Sequence, residues 1–377
     1  MKKINILVYG MTDKVGGMEV FFINFYRLAD HKRYSFDFLV NYPAIAFREE
    51  IESNGDRVVS ITKRSENAVK NHKEIKKFFS QAPDYDACYM MALDVSNIDF
   101  LKYCKKAGIK VRIIHSHNSN MRRPDAFRQT VSLMLHRFNR HKIHKLATHY
   151  WACSNRAAEW IFPRKLLPKT EIIHNAIPLE RYTFNEEKRT AVRKEFHLGA
   201  DVKIFGHVGR FAKQKNPLAL VDIFEEIVNR DKNALCWMIG EGPLRNEIEQ
   251  KIEQKGLEDK IVLLGQRSNV PELMQAMDAF VFPSLFEGLS FVVIEAQAAG
   301  LPIIASDTLS KEHSVTDLLE YCSLDKPASF WADRIIGMCN ECKREDQSRK
   351  LRAAGYDIKA EYGRIEDILQ QAIKECK

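Results

Sequence analysis

No apolar run in this chain of 377 residues approaches the ~20 consecutive apolar residues that a membrane-spanning helix requires, so the sequence excludes a transmembrane span. No signal-peptide cleavage site follows the opening strand-length run Met1-Lys-Lys-Ile-Asn-Ile-Leu-Val-Tyr-Gly10, and the expected location is cytoplasmic, at most peripheral on the inner face of the cell membrane. The eight cysteines are scattered through apolar segments. Only Cys339 and Cys342 have CxxC spacing, and without a second pair they make neither a zinc site nor a disulfide framework. GxGxxG is missing, which argues against nicotinamide binding. The DxD spacing of Asp84-Tyr-Asp86 falls after Pro83 where a strand opens, so no metal site is expected. No residue stands out as a covalent nucleophile.

What is present is an ordinary globular balance, 45% hydrophobic and 29% charged, in a chain long enough for two cores. Short apolar runs at residues 4–9, 36–40, 58–61, 87–91, 111–114, 149–153 and 171–173 alternate with helix-length polar segments. The pattern restarts at Lys203-Ile-Phe-Gly-His-Val-Gly209 and continues at 234–239, 261–264, 279–282 and 302–305. Strand and helix in alternation predict two doubly wound α/β domains with parallel sheets. The charged, weakly apolar stretch 179–200 reads as a linker between a domain at 1–178 and another at 201–356.

Ligands of such sheets bind beyond the carboxyl ends of the strands, so the loops that follow strands carry the chemistry. In Phe282-Pro-Ser-Leu-Phe-Glu-Gly-Leu-Ser-Phe-Val-Val-Ile-Glu-Ala-Gln-Ala-Ala-Gly300 a strand turns into a helix at Gly288. The amides of Gly288, Leu289, Ser290 and Phe291 at that helix start suit a phosphate or sugar oxygen. Glu295 lies about five residues into the helix, roughly 7 Å along at 1.5 Å per residue, a spacing that suits a ribose while Glu287 meets a group beyond the phosphates. Arg210 and Lys215, in Gly209-Arg-Phe-Ala-Lys-Gln-Lys-Asn-Pro217, stand on a loop before a helix and can neutralise a departing diphosphate. Gly16 and Gly17, in the loop after the first strand, permit a tight turn with exposed amides toward a diphosphate or sugar. His117, in His115-Ser-His-Asn118, follows another strand and offers an imidazole to a sugar hydroxyl, or to the structure around it.

The stretch from Glu287 to Glu295 resembles the EX7E signature of retaining, nucleotide-sugar-dependent glycosyltransferases of family 4, also called group 1. The run Ile303-Ile-Ala-Ser-Asp-Thr-Leu-Ser-Lys-Glu312 is most similar to bacterial capsule and exopolysaccharide enzymes, and the resemblance spans most of the chain. It implies the GT-B fold, two facing Rossmann-like domains, with a final helix at about 357–377 packing back on the first. It also implies an acceptor-binding first domain, a donor-binding second domain and a donor that is a nucleotide-diphosphate sugar, expected to be UDP-linked. The acceptor would be a saccharide or a polyprenyl-diphosphate-linked saccharide. In that frame Arg210 and Lys215 match the family's RxxxxK diphosphate site, Gly240 and Glu241 its second nucleotide loop, and His117 its HxH contact. Arg267 and Val270 would enclose the base. The implied mechanism is front-face attack, with the diphosphate helping to deprotonate the acceptor and with no cofactor or metal. A GT-B phosphorylase or epimerase, or a sugar-nucleotide-binding regulatory module, would share the nucleotide loops.

One sign of charge is nearly missing from residues 102–145: Lys102, Lys105, Lys106, Lys110, Arg112, Arg122, Arg123, Arg128, Arg137, Arg140, Lys142 and Lys145 accompany a single acid, Asp125. With a formal charge of +8, this segment suggests anionic lipid headgroups or a diphosphate-linked acceptor rather than nucleic acid, for which no motif is present. Residues 127–146 read as an amphipathic helix that either packs its apolar side on the core or offers it to a membrane.

Overall fold

The computed structural model describes residues 3–121 and 125–376 and divides into two compact units, Met1–Asn175 with Ile358–Lys377, and Ala176–Asp357. In the first unit the strands are β1 (Ile4–Tyr9), β2 (Tyr34–Val40), β3 (Arg57–Ser60), β4 (Ala87–Ala92), β5 (Val111–Ser116), β6 (His149–Ala152) and β7 (Thr170–Ile172). They form one sheet in the order β3-β2-β1-β4-β5-β6-β7, every pairing parallel. Because helices cover both faces of such a sheet, its central strands are buried on both sides, as in the wholly buried Ala-Cys-Tyr-Met-Met-Ala of β4. The final helix Ile358–Glu375 belongs to this unit: Ile365 and Leu369 are buried, Tyr362 lies 5.3 Å from the Phe25 ring, and Tyr34 Oη donates to Glu366 at 3.0 Å.

The second unit holds β8 (Lys203–Val208), β9 (Ala234–Ile239), β10 (Ile261–Gly265), β11 (Ala279–Phe282), β12 (Ile303–Ser306) and β13 (Leu319–Cys322), again parallel, in the order β10-β9-β8-β11-β12-β13. The order reverses between β1 and β4 in one sheet and between β8 and β11 in the other, which puts the two crevices of a doubly wound fold at those places. The edge strand β13 is not among the sequence expectations; Leu-Glu-Tyr-Cys is only four residues long and is interrupted by a charge.

Residues 179–200 are a correction to the linker reading. They form the helices Leu179–Tyr182 and Glu186–Glu195, with Leu179, Tyr182 and Val192 in the core of the second unit. The charges that suggested a solvated connector are committed to partners. Arg189 and Arg193 pair with Asp278, and Asp278 also accepts the Ile204 amide at 2.8 Å. Arg344 completes the knot: its guanidinium stacks 4.2 Å over Phe184 and donates to the carbonyls of Met274, Gln275, Met277 and Ala299. Cations at those positions answer the unpaired carbonyls at two helix C-termini, Val270–Ala276 and Phe291–Ala298.

Candidate functional site

The loops after β8, β9 and β11 meet at the switch point of the second sheet. Residues 209–216 leave β8 through Gly209, and Asn216, in the left-handed region at φ 53°, turns the chain into the helix Pro217–Arg230. Gln214 ties this loop to the one after β11: its carbonyl accepts the Leu285 amide at 2.8 Å and its Nε2 donates to the Phe286 carbonyl at 3.0 Å. The clasp brings Lys215 Nζ to 2.7 Å from Glu287 Oε1, with side chains only 17% and 8% exposed, and sets the ammonium 4.7 Å over the Phe282 ring. The Arg210 guanidinium, by contrast, is exposed and makes no ion pair or hydrogen bond with the described residues.

Gly240 shows why this loop cluster needs glycine. Its φ is +147°, and a Cβ there would lie 2.0 Å from the Gly209 carbonyl oxygen. Neighbouring Phe211 donates its amide to the Glu241 carbonyl at 2.9 Å, so the two loops are laced backbone to backbone. The Glu241 carboxylate is engaged by Arg245. Exposed Arg267 donates Nε to the Leu264 carbonyl at 2.9 Å, and Val270 opens the helix Val270–Ala276.

The helix that carries Glu295 runs Phe291–Ala298 and starts three residues after Gly288, because Ser290 before it is held by a group that the sequence does not point to. The Ser290 amide donates to His313 Nε2 at 2.8 Å, and His313 Nδ1–H donates to the Ser310 carbonyl at 2.8 Å, which fixes the tautomer. Burial lowers the His313 pKa and favours the neutral ring that can accept from an amide. Of the amides expected to face a phosphate, that of Ser290 is therefore already used. Gln297 holds the His313 loop in place by donating to the His313 carbonyl and accepting from the amides of Val315 and Thr316. His313 lies one residue beyond the run quoted for family resemblance, and only the fold brings it back to the helix start.

Glu295 accepts a hydrogen bond from Tyr182 Oη at 2.9 Å, a partner inside the stretch first read as a linker. Desolvation pushes the Glu295 pKa up to about 7, with Tyr182 and Arg181 pulling the other way. A carboxyl whose folded pKa exceeds its unfolded value stabilises the fold below the unfolded pKa, and that contribution is lost as pH rises through about 7. Glu295→Gln keeps an acceptor for Tyr182 and removes the charge, so it is expected to raise stability at pH 8 by on the order of 1–2 kcal/mol, with the gain vanishing below the unfolded pKa, at about pH 4. Thermal melts at the two pH values check this, and an equal shift at both would contradict it.

In the first unit the glycine loop is closed by its own acid. Buried Glu19 accepts the Gly16 amide at 3.1 Å and the Thr12 hydroxyl at 2.8 Å, and Gly17 starts the helix Gly17–Leu28. His117 leaves β5 with its ring 4.0 Å from His115 and 5.1 Å from Phe21. Its buried Nε2 has no hydrogen-bond partner among the described residues, and burial lowers its pKa to about 3, so the ring is neutral. Beneath it His115 Nδ1 meets the Tyr89 hydroxyl. Asp86 accepts the Asn5 amide at 2.9 Å where β4 begins, the strand-boundary role expected for the DxD spacing.

Two parallel Rossmann-like sheets with laced glycine loops, a lysine–glutamate pair at the switch point and a returning C-terminal helix define a GT-B glycosyltransferase. The sequence profile of the family described as Glycosyl transferases group 1 matches residues 188–350. The chain is 30% identical to EpsF of Bacillus subtilis (strain 168), named as a glycosyltransferase, over 372 residues, 97% of this chain and 95% of that protein. It is 32% identical over 142 residues, 37% of each chain, to the UDP-Gal:α-D-GlcNAc-diphosphoundecaprenol α-1,3-galactosyltransferase of Escherichia coli. In fold it is similar to the crystal structure of Anabaena HepE in complex with UDP, at a TM-score of 0.75 and 18% identity over 98% of this chain and all of that one, 100%. The chain belongs to the group 1 glycosyltransferases.

Proposed function

We propose that this protein transfers a sugar, with retention of anomeric configuration, from a nucleotide-diphosphate sugar to a saccharide or lipid-linked saccharide in the synthesis of a cell-surface polysaccharide. The observation that carries the reading is the Lys215–Glu287 pair clasped at the switch point of the donor-side sheet, with the free guanidinium of Arg210 on the same loop. Lys215 and Arg210 neutralise the diphosphate as the bond from the sugar's anomeric carbon to its oxygen breaks. Glu287 holds a sugar hydroxyl, and Glu295 the ribose. The acceptor hydroxyl attacks the same face and gives its proton to the departing diphosphate. His117 in the first unit, a neutral imidazole with an open Nε2, contacts the donor sugar or acceptor there. Gly240, Glu241, Arg267, Val270 and the amides of Gly288, Leu289 and Phe291 complete the donor site of the second unit; in the first unit Gly16, its amide held by Glu19, shapes the turn from which Gly17 opens the helix.

UDP as the carrier is supported by the names of relatives: the Escherichia coli enzyme takes a UDP-sugar and a diphosphoundecaprenol-linked acceptor, and HepE is crystallised with UDP. Two protein cations and a helix start supply the charge that a divalent ion supplies elsewhere, so no metal is required for the transfer. No helix of the described residues is long and apolar enough to cross a membrane, so a lipid-linked acceptor would be met at its headgroup. The test is release of free nucleoside diphosphate from a panel of nucleotide sugars in the presence of acceptor and EDTA. Acceptor-dependent release that survives chelation is expected. Loss with EDTA and rescue by manganese or magnesium would contradict the metal-free mechanism, and release of sugar phosphate would indicate a phosphorylase.

A further inference from the structure

The helix Ala126–Arg140 in the first unit is built inside out. Its buried residues are polar, and they fasten it to the loop after β4 and to the helix Asn155–Ile161. His136 Nδ1 accepts the Val95 amide at 3.2 Å, its Nε2 donates to the Trp160 carbonyl at 3.0 Å, and its ring stacks 4.1 Å from the Trp160 indole. Asn139 donates to the carbonyls of Val95 and Ser96 at 2.9 and 3.1 Å. Half-buried Leu133 lies toward the inner side, but the other five large apolar residues point the other way: Phe127 is 77% exposed, Met134 66%, Phe138 62%, Leu135 46% and Val131 39%. At about 100° per residue these five fall within an arc of roughly 100°, one continuous stripe along a helix about 22 Å long. The reading in which the apolar side packs on the core and leaves a solvated basic face is therefore overturned, because hydrogen bonds from His136 and Asn139 already occupy the inner side.

Charge says what covers the stripe. Arg128 and Arg137 flank it on opposite edges of the helix, and just past its end Lys142 lays its ammonium 3.8 Å over the Phe138 ring. Residues 126–145 contain five basic side chains and no acid, and Asp125 is spent as the helix cap, accepting the Arg128 amide at 2.7 Å. Arg122 and Arg123, counted in the same segment, lie outside the described residues. Apolar side chains edged by cations fit a surface that is anionic at the top and apolar beneath, which is a lipid leaflet. A second protein surface would have to supply both an apolar groove and acids on each rim. We propose that this helix docks the protein on anionic bilayers by inserting Phe127, Val131, Met134, Leu135 and Phe138 among the acyl chains, with Arg128, Arg137 and Lys142 at the headgroups. The step beyond charge attraction is insertion, and it rests on the first unit alone, independent of the transfer reaction.

The whole protein is sedimented with vesicles of phosphatidylcholine alone and with vesicles containing about a third phosphatidylglycerol, at low and high salt. Binding is expected to the anionic vesicles only, weakening as salt rises. The triple variant Phe127→Ser, Met134→Ser, Phe138→Ser, which leaves net charge unchanged, is expected to bind them at least about 10-fold more weakly while melting at the wild-type temperature, since all three side chains are exposed. Arg137→Gln with Lys142→Gln is expected to weaken binding and flatten its salt dependence. In Met134→Trp, tryptophan emission should shift to the blue on adding anionic vesicles. Wild-type binding by the triple serine variant, or no emission shift, would reduce the surface to a solvated basic helix and overturn insertion. A dimer in sedimentation equilibrium that the serine variant dissolves, without vesicle binding, would assign the stripe to a second copy and overturn it equally.

Discussion

Lys215→Ala is expected to lower kcat by about 10²–10³-fold while weakening donor binding by less than about 10-fold, because in the proposed mechanism the charge that Lys215 opposes grows as the diphosphate departs. Arg210→Ala should show the same asymmetry. Arg210 has no partner to lose among the described residues, so its variant reports the effect on the ligand most cleanly. Lys215 does have a partner, and the alanine variant leaves the Glu287 carboxyl, 8% exposed, without its counter-charge. An unpaired buried carboxylate costs stability, so the variant should also melt at a lower temperature than wild type. Glu287→Gln in the Lys215→Ala background should recover part of that stability without restoring kcat, and the two substitutions together should cost less than the sum of each alone. Equal losses in kcat and donor affinity would remove Arg210 and Lys215 from the transition state and make them simple binding cations.

Arg344→Ala is expected to destabilise the second unit by about 3 kcal/mol, seen as a fall of roughly 6–10 °C in its melting transition. The guanidinium is buried deeply enough that its pKa is lowered to about 9, mainly by desolvation, and it is held there by carbonyls from two helix ends. Gln275 and Met277 retain a donor in Arg189 when it is removed, but Met274 and Ala299 lose theirs. The helix Phe291–Ala298 that ends at Ala299 carries Glu295, so nucleotide affinity should fall together with stability. Arg344→Lys should recover little, because one ammonium cannot fork between the two helix ends. A melting temperature within about 1 °C of wild type would show that water satisfies those carbonyls as well as the arginine does.

The two sheets were legible in the sequence because buried parallel strands are nearly continuous apolar runs: Ile-Asn-Ile-Leu-Val-Tyr of β1 and Ala-Leu-Cys-Trp-Met-Ile of β9 announce themselves. So did the loops that follow them, since phosphate chemistry favours glycine and cations after a strand. What escaped was whatever depends on a partner distant in the chain. Residues 179–200 look like a connector because their arginines read as solvated charge, and nothing local says that Asp278 and the carbonyls near it await them. Tyr182 contacts Glu295 from 113 positions away and His313 contacts Ser290 from 23, and nothing in the sequence links either pair. The helix Ala126–Arg140 was legible as amphipathic, but periodicity gives a face and not its direction. Only the hydrogen bonds of His136 and Asn139 show that the apolar side is the outer one.

The central claim, transfer with retention from a nucleotide-diphosphate sugar, is tested most directly by following the anomeric proton of the product by NMR during turnover of an α-linked donor in the presence of EDTA. The account predicts that the first-formed glycosidic linkage carries the small anomeric coupling of the α configuration, and that nucleoside diphosphate accumulates at the same rate. A first-formed β linkage would contradict it, since front-face attack by an acceptor that gives its proton to the departing diphosphate cannot invert the anomeric carbon.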